Sequence, residues 1–103
     1  MEIKHSATAG THESSDIMVF VEPNEEGSII FELDSPVKSQ FGEQIRDLVH
    51  SIFQKVGITH VKVTAVDHGA LDYAIIARML TAIARASDCE ESLLWRYCND
   101  TAK

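Results

Sequence analysis

Ser28-Ile29-Ile30-Phe31-Glu32-Leu33, a long amphipathic stretch, and then His60-Val61-Lys62-Val63-Thr64-Ala65-Val66 form the succession that decides the fold. The first and last pieces are short and rich in β-branched residues, as strands are. Between them Phe41, Ile45, Leu48, Val49, Ile52, Phe53 and Val56 recur at helical steps and make one apolar face. Asp34 or Ser35 can cap the free amides at the start of that helix. Pro36 suits the first turn, where its missing N–H is not needed. Gly57 stands where a helix commonly stops. A strand–helix–strand step of this kind predicts two parallel strands joined by a right-handed crossover.

Working outward, Ile17-Met18-Val19-Phe20-Val21 is continuously apolar and reads as a strand buried on both faces. Pro23-Asn24-Glu25-Glu26-Gly27 carries turn chemistry, so residues 17 to 33 read as an antiparallel hairpin. Beyond the third strand, Asp67-His68-Gly69 turns the chain. Ile76, Met79, Leu80 and Ile83 then mark a second helix from Asp72 to about Ser87, although the alternation of Leu71, Tyr73 and Ile75 also allows its first turn to extend a strand. Residues 88 to 103 read as a short helix or a loose tail. The expected fold is α+β: a β-β-α-β-α chain with a small mixed sheet and two helices on one face.

The bulk properties narrow the function. At 103 residues the chain is expected to be one domain, 1–103, with an N-terminal segment 1–16 and a C-terminal extension 88–103. A formal net charge of −7 disfavours nucleic acid and anionic membrane as partners, and no apolar run reaches spanning length. The N-terminus lacks the basic and apolar segments of a signal peptide, so Cys89 and Cys98 are expected as thiols in a reducing, cytoplasmic setting. His5, His12, His50, His60 and His68 are scattered without metal-ligand spacing, and no metal site is expected. No common catalytic motif occurs, so the chain alone does not read as an enzyme.

One loop stands out. Ala9-Gly10-Thr11-His12-Glu13-Ser14-Ser15-Asp16 is small, polar and glycine-containing, and it ends against the first strand. Such a loop can display a hydroxyl on a rigid support. It can equally be a plain turn in which Ser and Asp bond nearby backbone. The residues alone do not choose between a turn and a point of covalent attachment.

Ala9-Gly10-Thr11, Glu13-Ser14-Ser15-Asp16-Ile17-Met18, Leu33-Asp34-Ser35 with Val37, Gln40-Phe41-Gly42, Val66-Asp67, Gly69-Ala70-Leu71-Asp72, Ala77-Arg78 and Arg85-Ala86 together resemble the acyl carrier (gamma) chain of citrate lyase. The resemblance runs over roughly residues 1 to 86. It implies that Ser14 carries 2′-(5″-phosphoribosyl)-3′-dephospho-CoA through a phosphodiester, and that the arm's thiol bears acetyl and citryl groups while citrate is cleaved to oxaloacetate and acetate. The implied partners are the alpha (acyl transferase) and beta (citryl lyase) subunits, the latter with Mg²⁺, and a prosthetic-group transferase. It further implies an exposed Ser14 on a loop free to approach two active sites. Beside it, Glu13 and Asp16 can present the loop to basic partner surfaces, or Asp16 can simply cap a turn; Arg78 and Arg85 can contact the phosphoribosyl groups, but such arginines are more often solvated or paired. His12, Tyr73 and the long tail depart from the family pattern. Asp34-Ser35 resembles the attachment dipeptide of ordinary acyl carriers, but Pro36 and the strands do not suit their helical bundle. Two alternatives stand beside this reading: the delta chain of malonate decarboxylase, a carrier with the same group, and a small adaptor that binds through Leu93-Leu94-Trp95 and carries no group.

Overall fold

The computed structural model describes residues 2–34 and 38–101, with side chains from 2–34 and 42–96. Its elements are β1 (Ala7–Ala9), β2 (Ile17–Glu22), β3 (Ile29–Asp34), α1 (Lys38–Val56), β4 (Val61–Asp67), α2 (Asp72–Ser87) and α3 (Glu91–Thr101). The four strands form one mixed sheet in the order β1-β2-β4-β3. Strands β3 and β4 run parallel, with Phe31 opposite Val63, as the strand–helix–strand step predicts.

The expected hairpin of residues 17 to 33 does not form. Strand β4 lies between β2 and β3, antiparallel to the first and parallel to the second. The reason is burial. Val61, Val63 and Ala65 are fully enclosed, and a strand of that kind gains most at the sheet centre, with both edges bonded. The 23–28 segment still turns, with Asn24 Nδ2 donating to Ser28 O at 2.8 Å, but it bridges over β4 instead of joining neighbours. The hairpin that does form is β1–β2, with Ala9 paired to Val19 and Ala7 to Val21.

Burial in β2 alternates and is not two-sided. Ile17, Val19 and Val21 are enclosed, while Met18 and Phe20 are half-buried on the face away from the helices. The register puts Val19, Ala65 and Leu33 in one row and Val21, Val63 and Phe31 in the next, all toward the helical layer. Helix α2 lies over β1 and β2, α1 beside β3, and α3 against both other helices. Ile45, Val49, Ile52, Phe53 and Val56 of α1 meet Ile75, Met79, Leu80 and Ile83 of α2 in the core.

The helix ends follow from local chemistry. Gly57 has φ +78°, its N–H donates to Gln54 O, and the Ile58 N–H reaches back to Phe53 O at 2.9 Å. This left-handed stop buries Ile58 against the core. Helix α2 begins at Asp72, which settles the ambiguity about its first turn, and it ends at Asp88 in the same left-handed conformation. The tail forms α3, with Leu94 fully buried and Trp95 half-buried. Asp34 ends β3. Ser35 and Pro36, proposed at the start of α1, and the side chains of Phe41 and Cys98 lie outside the described residues.

Candidate functional site

Residues 10 to 16 connect β1 to β2, and the base of this loop is pinched. Gly10 has φ +99°, and a Cβ built on it would sit 1.8 Å from the Ile17 carbonyl oxygen. Only glycine lets the two backbone segments approach so closely. From there the chain rises to Glu13 and turns sharply, with the Asp16 N–H donating to Glu13 O at 3.2 Å. Ser14 and Ser15 are the two corner residues. Ser15 has φ +66°, the sign a type II turn needs at its third position. Its N–H donates to His68 O at 2.7 Å, which fixes the second corner to the end of β4. Ser14 is the first corner and is exposed.

Asp16 holds the far side of the loop. Arg78 of α2 donates to it through Nε and Nη2 at 3.0 and 2.8 Å, a two-pronged ion pair. The Thr11 hydroxyl donates at 2.6 Å, and the Ile17 N–H donates at 2.7 Å. The Arg78 hydrogen bonds keep the Asp16 carboxyl well below the ordinary carboxylate range; partial burial opposes them, and Thr11 and Ile17 assist. The Asp16 carbonyl in turn accepts the His68 N–H at 2.9 Å. The loop is therefore clamped to both α2 and β4, and the expected freedom of the loop is not what its bonding provides.

The sequence-predicted residues fall into two groups. Ser14 and Glu13 are exposed at the tip, as expected of presented groups. Asp16, Arg78 and Arg85 work within the protein: Asp16 and Arg78 on each other, and Arg85 by donating from Nη1 to Thr8 O at 2.8 Å, which ties α2 to β1. Sequence reasoning missed His68. It supplies two backbone bonds to the loop, and its ring lies edge-on to His12 with centroids 5.6 Å apart. It missed also the carboxylate of Asp67, which is buried and accepts the Ala70 N–H at 3.0 Å. The Val66-Asp67-x-Gly69 signature held that information, because a buried carboxylate before a glycine is a turn-forming pattern.

Among the described residues no group of three or more potential ligands could hold a metal ion, and no helix is long and apolar enough to cross a membrane. In the tail Leu94 is enclosed, Trp95 is half-buried and donates from Nε1 to Glu91 at 3.1 Å, and Leu93 is exposed.

Residues 4–86 match the family model described as malonate decarboxylase delta subunit (MdcD). Among curated proteins, the chain is 47% identical over 91 residues to proteins named citrate lyase acyl carrier protein from Streptococcus pyogenes serotype M5 (strain Manfredo) and serotype M49 (strain NZ131). The same identity is found with that of serotype M1. In each case the match covers 88% of this chain and 89% of the relative.

Proposed function

The chain belongs to this acyl carrier family, and on that premise we propose that it serves as the acyl carrier of a citrate lyase, with its acyl group borne on an arm esterified to Ser14. The observation that carries the reading is the exposed first corner of a turn whose other three residues are fixed by backbone bonds. The group expected there is 2′-(5″-phosphoribosyl)-3′-dephospho-CoA, and the Ser14 position fits a phosphodiester, being open to water on a support that does not need to move. When attached, the group supplies a thiol whose thioesters are better electrophiles than carboxylates and better stabilise charge on the adjacent carbon.

The chain's own residues do the positioning. Ser14 Oγ provides the point of attachment. Gly10 allows the loop to close on Ile17, and Arg78 with Asp16 keeps it closed. Tethering turns encounters with two active sites into intramolecular ones, at effective concentrations on the order of millimolar. The partners are then the alpha and beta subunits and the transferase that loads the arm, in a cytoplasmic complex. Glu13 and the overall charge of −7 favour basic docking surfaces on them.

Intact mass spectrometry after co-expression with the loading enzymes tests the attachment. The added mass is expected in Ser15→Ala and absent in Ser14→Ala, and the reverse pattern refutes the assignment. The family description favours a second reading, the malonate decarboxylase carrier. Purified complex given citrate or malonate separates the two: oxaloacetate from citrate supports the first, carbon dioxide from malonate the second.

A further inference from the structure

A cavity of ≈ 810 Å³ opens where β4 passes into α2. Its size is that of a small-molecule site. Ile45 of α1 and Ile75 and Ile76 of α2 provide apolar walls, and Asp67, Asp72 and Gln44 are the polar members of the lining. Leu71 and Tyr73, also in the lining, are 61% and 70% exposed, the two most exposed large hydrophobic residues among those described. An apolar pocket edged by an uncovered aromatic ring is built to take a flat group.

Along the chain, the cavity lies one residue from the backbone that holds the Ser14 turn. His68, which bonds the backbone of both Ser15 and Asp16, sits between Asp67 and Gly69, and both of those residues line the cavity. An arm leaving Ser14 thus begins at the same end of the sheet as this opening, since Ile17 pairs with Asp67. The lining also selects chemistry. Among the described residues of the lining are two aspartates and no lysine or arginine, and these disfavour phosphates and carboxylated acyl groups. An uncharged, planar group bearing N–H donors is accepted, because the exposed Asp72 carboxylate and the Gln44 amide oxygen can receive those donors.

We propose that this cavity is a resting site for the purine base of the arm attached at Ser14. The inference rests on the carrier reading. It assigns Tyr73 and Leu71 to the base and leaves the thiol end outside to reach partner subunits.

The test uses ¹⁵N-labelled full-length chain without the arm, titrated with adenosine and, separately, with pantetheine. Adenosine is expected to move the amides of Gly69, Leu71, Tyr73 and Ile76 along saturable curves, and pantetheine to leave them in place. Because Tyr73 is on the surface, Tyr73→Ala keeps the remaining spectrum, and it weakens adenosine binding by roughly fivefold or more, the lower end of base–aromatic stacking. Ala70→Phe, which adds bulk inside the cavity, abolishes the shifts. Saturable shifts from pantetheine instead of adenosine, shifts from neither, or shifts insensitive to both variants overturn the proposal. Intact mass of loaded protein is read separately. Mass gain at Ser14 without adenosine binding defeats only the resting site, and absence of mass gain defeats the carrier reading itself.

Discussion

Asp16→Ala removes four hydrogen bonds at once: two from Arg78, one from the Thr11 hydroxyl and one from the Ile17 amide. A sheltered bond to a charged group contributes about 1.5–3 kcal/mol. The Arg78 side chain, however, is 40% exposed against 14% for Asp16, so water recovers much of the guanidinium's loss. We therefore take the ion pair as about 1 kcal/mol. The Thr11 and Ile17 donors add about 1 kcal/mol each. The expected loss is about 3 kcal/mol, or roughly 12–24 °C in melting temperature for a domain of this length. Urea denaturation of Asp16→Ala, Arg78→Ala and the double variant should give a coupling of about 1 kcal/mol. The pH dependence adds a second reading. The folded Asp16 carboxyl titrates below its unfolded value, so its contribution is complete above about pH 4 and disappears as the pH falls further. The gap between parent and variant should then narrow in acid. Effects that add within about 0.3 kcal/mol would show that the two residues merely lie close, and the clamp argument would fail.

Gly10→Ala should cost at least about 2 kcal/mol, combining left-handed strain with a clash against the Ile17 carbonyl. Gly69→Ala, which shares the positive φ but meets nothing within 4 Å, should cost about 1 kcal/mol, and equal losses in chemical denaturation would refute the steric account. His5 Nε2 lies 2.8 Å from Asp88, and that hydrogen bond raises the His5 pKa and lowers that of Asp88. The pair should act between about pH 4 and 6.5, fading above as His5 loses its proton and below as Asp88 gains one. NMR titration of His5 should give a midpoint above 6.5 that drops in Asp88→Ala, and an unchanged midpoint contradicts the pairing. Phe53→Ala, at a fully buried site between the helices and the sheet, should cost about 3–5 kcal/mol by thermal unfolding.

The parts of the fold legible in the sequence were those governed by local periodicity. The α1 stripe, Gly57 as its stop, and β3 and β4 all followed from side-chain spacing. Pairing was another matter. The turn residues Asn24 and Gly27 resemble those of a hairpin, but which strands lie side by side is set by which strand gains most from a central place, and that belongs to the whole sheet. Strand β1 was invisible because Ala7-Thr8-Ala9 is too short and too small to leave a pattern. At the site, Ser14 and its loop were read from the motif. The partner of Asp16 was not, because Arg78 lies 62 residues away and only the packing of α2 over β2 brings them together.

The pinch at Gly10 and the grip of Arg78 make the β1–β2 corner an anchor post and not a hinge. On the proposed attachment, an arm at Ser14 would pivot about a stationary point, and its reach would be a cap of space over one end of the sheet. Subunits exchanging cargo with such an arm would have to crowd around that end, and lengthening the loop would blur the pivot without widening the cap to the opposite pole.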